Sequence, residues 1–355
     1  MTMRERILAA LRGEPHDRVP FVQYSGLAAS DEDVWKAVGR ENMGVIRWSS
    51  VNRQETPNCS TSVEQFEWNG RRAERTFLTT PKGTLVQERV FEPTYGSAAT
   101  RKHYVCEPED YELLLSYLRD IVVIEDVSSY LRDDAALGPE GIPMVSVQRT
   151  PYQQMWVQWA SLQAFAVHLA DDLPVLRECL DTLADIERRI FHAVWKATRD
   201  LPIPYVDFPD NITAPAIGER YFREFCVPLY NELADMLSDR NVPVFVHMDG
   251  DLKPLWAAIA ESKVGGIDSF SPPPDNDTSC ADAAAMWPSM RLFLNFPSSV
   301  HLWEPEEVYG HTMSMLNEAG HTGRMQIQVS ENVPPGVWQR SFPAIIRAIN
   351  DFGKP

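Results

Sequence analysis

What this sequence is short of narrows the field first. Its 355 residues include only five cysteines: Cys59, Cys106, Cys179, Cys226 and Cys280. They are widely spaced, with no CxxC pair, so we expect free thiols in a reducing compartment rather than a disulfide framework. No stretch approaches the ~20 apolar residues of a membrane span. The opening "MTMRERILAALRGE" reads as a charged amphipathic helix, not a targeting segment. The expectation is a soluble, cytoplasmic protein with no membrane partner. Runs of Arg or Lys are missing too, and the net charge is −17. Such a surface repels a phosphate backbone, which argues against nucleic acid. There is no repeat and no low-complexity segment. No glycine-rich phosphate loop follows an apolar run, which leaves a doubly wound open sheet as the runner-up fold.

What is present is alternation. Eight short apolar runs each end in polar, Gly or Pro residues: "VPFVQYSG", "GVIRWSS", "PMVSVQRTP", "IPYVDFPDN", "PVFVHMDG", "GGIDSFSPPP", "RLFLNFPSS" and "MQIQVSENVPP". Runs of this kind suit strands buried on both faces. Helical patterns lie between them, the clearest over residues 173–201, where Leu176, Leu180, Leu183, Ile190 and Val194 share a face. Eight strands alternating with helices predict an α/β protein, a (β/α)8 TIM barrel forming a single domain over 1–355. One region departs from this. Over 66–90, an Asn-Gly turn at Asn69-Gly70 and a second turn at Pro81-Lys82-Gly83 predict an antiparallel β-meander inserted after strand 2.

In a barrel the chemistry sits at the C-terminal ends of the strands. Those ends offer Gln23 and Tyr24, then Arg47, then Arg149 and Tyr152. They continue with Asp207, Asp210 and Asn211, then His247 and Asp249, then Asn295, then Ser330 and Glu331. The fifth is the informative one. Alternate residues of a strand share a face, so His247 and Asp249 point the same way if the strand persists that far. An imidazole nitrogen beside a carboxylate is a start on a site for Zn2+ or another divalent metal, and Glu331 is a candidate third ligand. The plainer reading makes His247 a satisfied polar residue and Asp249 a helix cap. Trp156 and Trp159, three apart, are read as packing rather than a pocket wall. Tyr152, Trp303 and Trp338 stand nearer to strand ends.

Several motifs in order resemble the uroporphyrinogen decarboxylase superfamily, which includes the zinc methyltransferases of corrinoid-dependent methyl transfer. They are "RERILAALRGEPHDRVPF", "TTPKGTL", "DFPDN" with "YFREFCVPLYNEL", "VFVHMDGDLKPL" and "VSENVPP". The resemblance spans nearly the whole chain and implies a TIM barrel, often a homodimer. Two departures stand out. Where true porphyrinogen decarboxylases carry an arginine-rich "RQAGRY" segment, this chain has "VQYSGLAASDEDVW", so uroporphyrinogen is not the expected substrate. Where the methyltransferases carry His-x-Cys and a later Cys, this chain has His247, Asp249 and, in our alignment, Glu331, or Ser330 with an offset of one.

Replacing both thiolates by carboxylates suggests a retained metal site of harder character. The resemblance then implies a metal-dependent methyltransferase or demethylase. Its methyl group would move between a small substrate, methoxylated or a methylated amine, and a corrinoid carried by a partner protein. Asp207, Asp210 and Tyr24 are the expected catalytic groups. Gln23, Arg47, Arg149, Tyr152, Asn211, Asn295 and Trp338 are expected to bind substrate. The alternatives are a lyase that decarboxylates a non-porphyrin acid without metal, using Arg47 and Arg149, and a non-catalytic binding protein.

Overall fold

Short runs of apolar residues, each long enough for one buried strand, set the framework of the computed structural model, which describes residues 1–94 and 97–355. Eight parallel strands close into a barrel: Phe21–Tyr24, Gly44–Ser49, Gly141–Ser146, Val206–Phe208, Val244–His247, Gly266–Phe270, Arg291–Asn295 and Met325–Val329. Seven lie within the stretches expected from the sequence, and the third overlaps its stretch but begins two residues earlier, at Gly141. Their spatial order follows the chain, and the first strand pairs with both the second and the eighth. This is the TIM barrel anticipated from the alternating pattern.

The described residues fall into two compact units. The first comprises Met1–Val51, Val127–Gln148 and Trp195–Pro355 and holds all eight barrel strands. Its opening helix, Met3–Arg12, starts on a capping box of Thr2 and Glu5. Met3, Ile7 and Leu11 of that helix join one buried cluster with Val22, Tyr24, Ile46, Ile142, Tyr205, Phe245 and Phe293. Aromatic rings fill much of this interior: Tyr205, Phe245 and Phe293 lie within 4.8–5.7 Å of one another, centroid to centroid. Large rings need small neighbours. A Cβ on Gly266 would come within 2.3 Å of the Phe245 ring, so only glycine lets the fifth and sixth strands pair there.

The second unit comprises Asn52–Asp126 and Arg149–Val194. It contains a four-stranded antiparallel sheet, Ser60–Trp68, Arg71–Thr80, Gly83–Phe91 and Ala98–Lys102, each strand paired with the next. The meander is thus longer than the 66–90 stretch that its turns marked. Its first strand, "STSVEQFEW", is almost wholly exposed, so no apolar alternation announced it. A second antiparallel pair, Asn52–Glu55 with Val122–Glu125, joins segments about 70 residues apart and left no local signal. Among the described residues, no helix is long and apolar enough to cross a membrane.

Candidate functional site

Tyr24, His247, Asp268 and Asn295 stand at or near strand ends, and Glu331 lies two residues past Val329. The fifth strand ends on His247, and the chain then turns sharply. Gly250 donates its backbone N–H to the Ile212 carbonyl at 3.1 Å. A Cβ on Gly250 would lie 2.2 Å from the Thr213 Cβ, so the turn that carries Asp249 requires glycine. The Asp249 carbonyl accepts from Asn276 Nδ2 at 2.6 Å, which holds the same turn from the other side.

The expected triad converges. His247 Nε2 lies 3.3 Å from Glu331 Oε1 and 3.9 Å from Asp249 Oδ2. One donor atom from each of the three residues falls within a 4.8 Å set. Ligands about 2.1 Å from a tetrahedral zinc stand about 3.4 Å apart, and the two separations from His247 Nε2 lie near that value. The donor set is one imidazole and two carboxylates, whose combined charge neutralises a dication. Among the described residues no Lys or Arg pairs with Asp249 or Glu331. His247 is buried, whereas the side chains of Asp249 and Glu331 are 24% and 35% exposed, leaving an approach from solvent. By donor chemistry and spacing, the residues present fit a divalent metal.

Glu331, not Ser330, is the residue that faces His247. Ser330 Oγ donates to Asn295 Oδ1 at 3.3 Å. The same oxygen accepts the backbone N–H of Ser330 and of Glu331, at 3.1 and 3.2 Å. Asn295, expected to bind substrate, is therefore bound up in shaping the turn that delivers Glu331.

The other expected residues divide. Gln23 donates to Asp31 Oδ1 at 2.8 Å, and Arg47 lies 3.5 Å from Asp31 Oδ2, so both are anchored on one carboxylate. Asp210 is buried and accepts from Tyr230 Oη, and Asp207 is buried as well. Trp338 is buried against Phe342, with centroids 5.6 Å apart. Arg149 and Tyr152 belong to the second unit, where Tyr152 stacks edge-on against Phe165 at 4.9 Å. Trp159, in the same unit, packs against Tyr104 and Tyr117. Asn211 is half-buried.

The sequence reading passed over Asp268. It is the register partner of His247 on the sixth strand and is fully buried. Its Oδ2 lies 3.5 Å from His247 Nδ1 and accepts from Tyr24 Oη and from Ser269 Oγ. Its Oδ1 accepts from Gln328 Nε2 at 2.9 Å. Ser269 beside it has φ +57, and the register of the sixth and seventh strands shifts between Ile267 and Phe270. A bulge with a strained non-glycine residue is a common mark of functional sites. The sign was there to read: an aspartate inside a strand otherwise fit for burial on both faces.

Charge dominates the electrostatics. Burial opposes the charged form of His247, but the nearby carboxylates of Asp249, Asp268 and Glu331 outweigh it and hold the imidazole pKa well above its usual value. Burial, with Asp268 and Asp207 nearby, pushes the phenols of Tyr24 and Tyr205 upward.

Among solved structures, a methyltransferase from Methanosarcina mazei shares the fold at 15% identity, over 99% of each chain, with a TM-score of 0.57. A B12-independent methionine synthase from Shewanella sp. W3-18-1 aligns at 9% identity over 94% of this chain and 97% of its own, with a TM-score of 0.41. A chitinase from Chromobacterium violaceum aligns at 9% identity over 62% of this chain and 93% of its own, with a TM-score of 0.35. No curated protein matches. The family model described as uroporphyrinogen decarboxylase (URO-D) matches residues 169–352. That stretch is just over half of the sequence and carries His247, Asp249, Asp268 and Glu331, and on that match the chain belongs to the uroporphyrinogen decarboxylase family.

Proposed function

We propose that the protein is a metal-dependent methyltransferase or demethylase that moves a methyl group between a small substrate and a corrinoid held by a partner protein. The observation that carries this reading is the convergence of His247, Asp249 and Glu331 around one point with, among the described residues, no basic side chain paired to the two acids. The fold shared with the Methanosarcina methyltransferase over the full length of both chains is compatible with it.

In this reading His247, Asp249 and Glu331 hold Zn2+ or another divalent ion, which supplies Lewis acidity toward a substrate oxygen or nitrogen. Asn295 keeps the Glu331 turn in place. Tyr24, Asp207, Asp210 and Asn211 serve substrate binding or proton handling. A carboxylate-rich mouth favours a neutral or cationic substrate over an anion. The decarboxylase alternative needs free cationic groups at the mouth, and Arg47 is held by Asp31. A single functional domain over 1–355, a cytoplasmic homodimer and substrate contacts by Gln23, Arg149, Tyr152 and Trp338 belong to the same proposal.

Metal analysis of protein purified without added chelator tests the reading. We expect one ion per chain, lost in both His247→Ala and Glu331→Ala. Metal-free wild type after zinc is offered rejects it. Conversion of a reduced corrinoid protein to its methylated absorption spectrum, on adding enzyme and a methoxylated or methylated amine substrate, then tests the reaction.

A further inference from the structure

Asp268 does nothing in the scheme above, yet it is among the most constrained carboxylates in the molecule. It is fully buried, on the strand next to His247 and in register with it. Three side-chain donors converge on it: Tyr24 Oη and Ser269 Oγ on Oδ2, and Gln328 Nε2 on Oδ1. Gln328 is itself fixed, its Oε1 accepting from Gln326 Nε2 at 3.1 Å. Of the three carboxylates around His247, Asp268 alone addresses Nδ1, at 3.5 Å; Asp249 and Glu331 address Nε2. Nδ1 is buried and lacks a partner at ordinary hydrogen-bond geometry.

We infer that Asp268 is a positioning residue for the metal ligand: it keeps the proton of neutral His247 on Nδ1 and so presents the Nε2 lone pair to the cation between Asp249 and Glu331. A ring nitrogen facing a fixed carboxylate is stable only as a donor. A neutral imidazole with its proton there has its single lone pair on the other nitrogen. The Tyr24, Ser269 and Gln328 donors leave Asp268 no freedom to rotate away. The strained turn at Ser269 gains a purpose, since it brings the Ser269 hydroxyl onto the carboxylate it follows. Tyr24, assigned above to substrate binding or proton handling, then also acts through Asp268.

This rests on the metal reading above, and the test separates the two. Zinc affinity of wild type, Asp268→Asn and Tyr24→Phe is measured by competition with a chromophoric chelator. Zinc-loaded protein labelled with 15N-histidine is then examined by NMR, with His247→Gln identifying the signal. We expect Asp268→Asn to bind zinc about 10–100-fold more weakly, as outer-shell changes typically do, and Tyr24→Phe to show a smaller loss. In the wild type an Nδ1–H signal of His247 should resist exchange with solvent; in Asp268→Asn it should be lost, with the melting temperature little changed. Equal affinity and an unchanged Nδ1–H signal in a folded Asp268→Asn overturn the inference while leaving the metal site intact. Should Asp268→Asn fail to fold, Tyr24→Phe decides: full affinity with an unaltered signal overturns it. Wild type that binds no zinc sinks both.

Discussion

The two ends of the barrel solve the problem of buried charge in opposite ways. At the N-terminal end a cleft of about 780 Å3 is lined by Arg4, Arg12, Arg240 and Arg291 and, among the described residues, by no carboxylate. Backbone carbonyls take up much of that charge. Arg291 donates to Leu11 O and Ser289 O at 2.8 and 2.9 Å, and Arg4 to Gly141 O at 3.2 Å while pairing with Asp134. The Arg291–Leu11 and Arg4–Gly141 contacts tie the opening helix to strand starts. At the C-terminal end carboxylates gather instead, and the basic group facing them is an imidazole. At the N-terminal end Arg4 and Arg291 are thus satisfied by the chain itself. The C-terminal end gathers three donors that fit a cation, the arrangement on which the proposed function rests.

Substitutions at both ends sharpen the contrast. The largest effect is expected at the mouth: His247→Ala or Glu331→Ala should lower zinc affinity more than about 100-fold, beyond the loss typical of outer-shell changes, with little loss of stability. Equilibrium dialysis alongside thermal melts checks this. Burial sets a pH response near the mouth. His301 is buried beside Phe296 and Phe342, and desolvation lowers its pKa to about 4. The unfolded chain takes up a proton below pH ~6.5 that the native state refuses until pH ~4, so stability should fall by about 3 kcal/mol across that window and level off below it. Urea titrations at several pH values should show this slope, and His301→Phe should flatten it.

Next in size is Gly250→Ala, whose new methyl meets Thr213. It should cost about 1–3 kcal/mol by overpacking and weaken metal binding as well, because Asp249 moves with the turn. At the opposite end, Arg291→Met should cost about 2 kcal/mol by orphaning two carbonyls and leave zinc affinity untouched. A change in affinity there would break the division between the ends. The smallest effect is expected at Asp17, which the Arg6 guanidinium holds down to about 2. Its stabilisation is complete above the ordinary carboxylate range and is lost as pH falls from ~4 through 2. Because the side chain is 41% exposed, screening leaves about 1 kcal/mol. Asp17→Asn should remove that part of the acid sensitivity.

Much of the frame was legible. Buried strands need short apolar runs, and all eight announced themselves that way. Asp17 and Arg18, noticed as part of a motif, turn out to be anchors: Asp17 holds Arg6 of the first helix, and Arg18 reaches Asn350 in the last. Most of what escaped notice had no local pattern. The exposed first strand of the meander lacks apolar alternation. The pairing of Asn52–Glu55 with Val122–Glu125 depends on contacts across the chain. Asp268 left a sign in its own strand, but its role did not show there, because its partners, Tyr24, His247 and Gln328, come from three other strands.

By itself, then, the order of residues determined where the strands run and which polar groups stand at their ends, because burial on two faces and the turn that follows are local demands. Only closure of the barrel decided which ends meet. It set the carboxylate of residue 268 against His247, brought Glu331 to the other side of the ring and drew Asn295 into supporting it. Those contacts depend on register between strands far apart in the chain, and no local run of residues encodes that register.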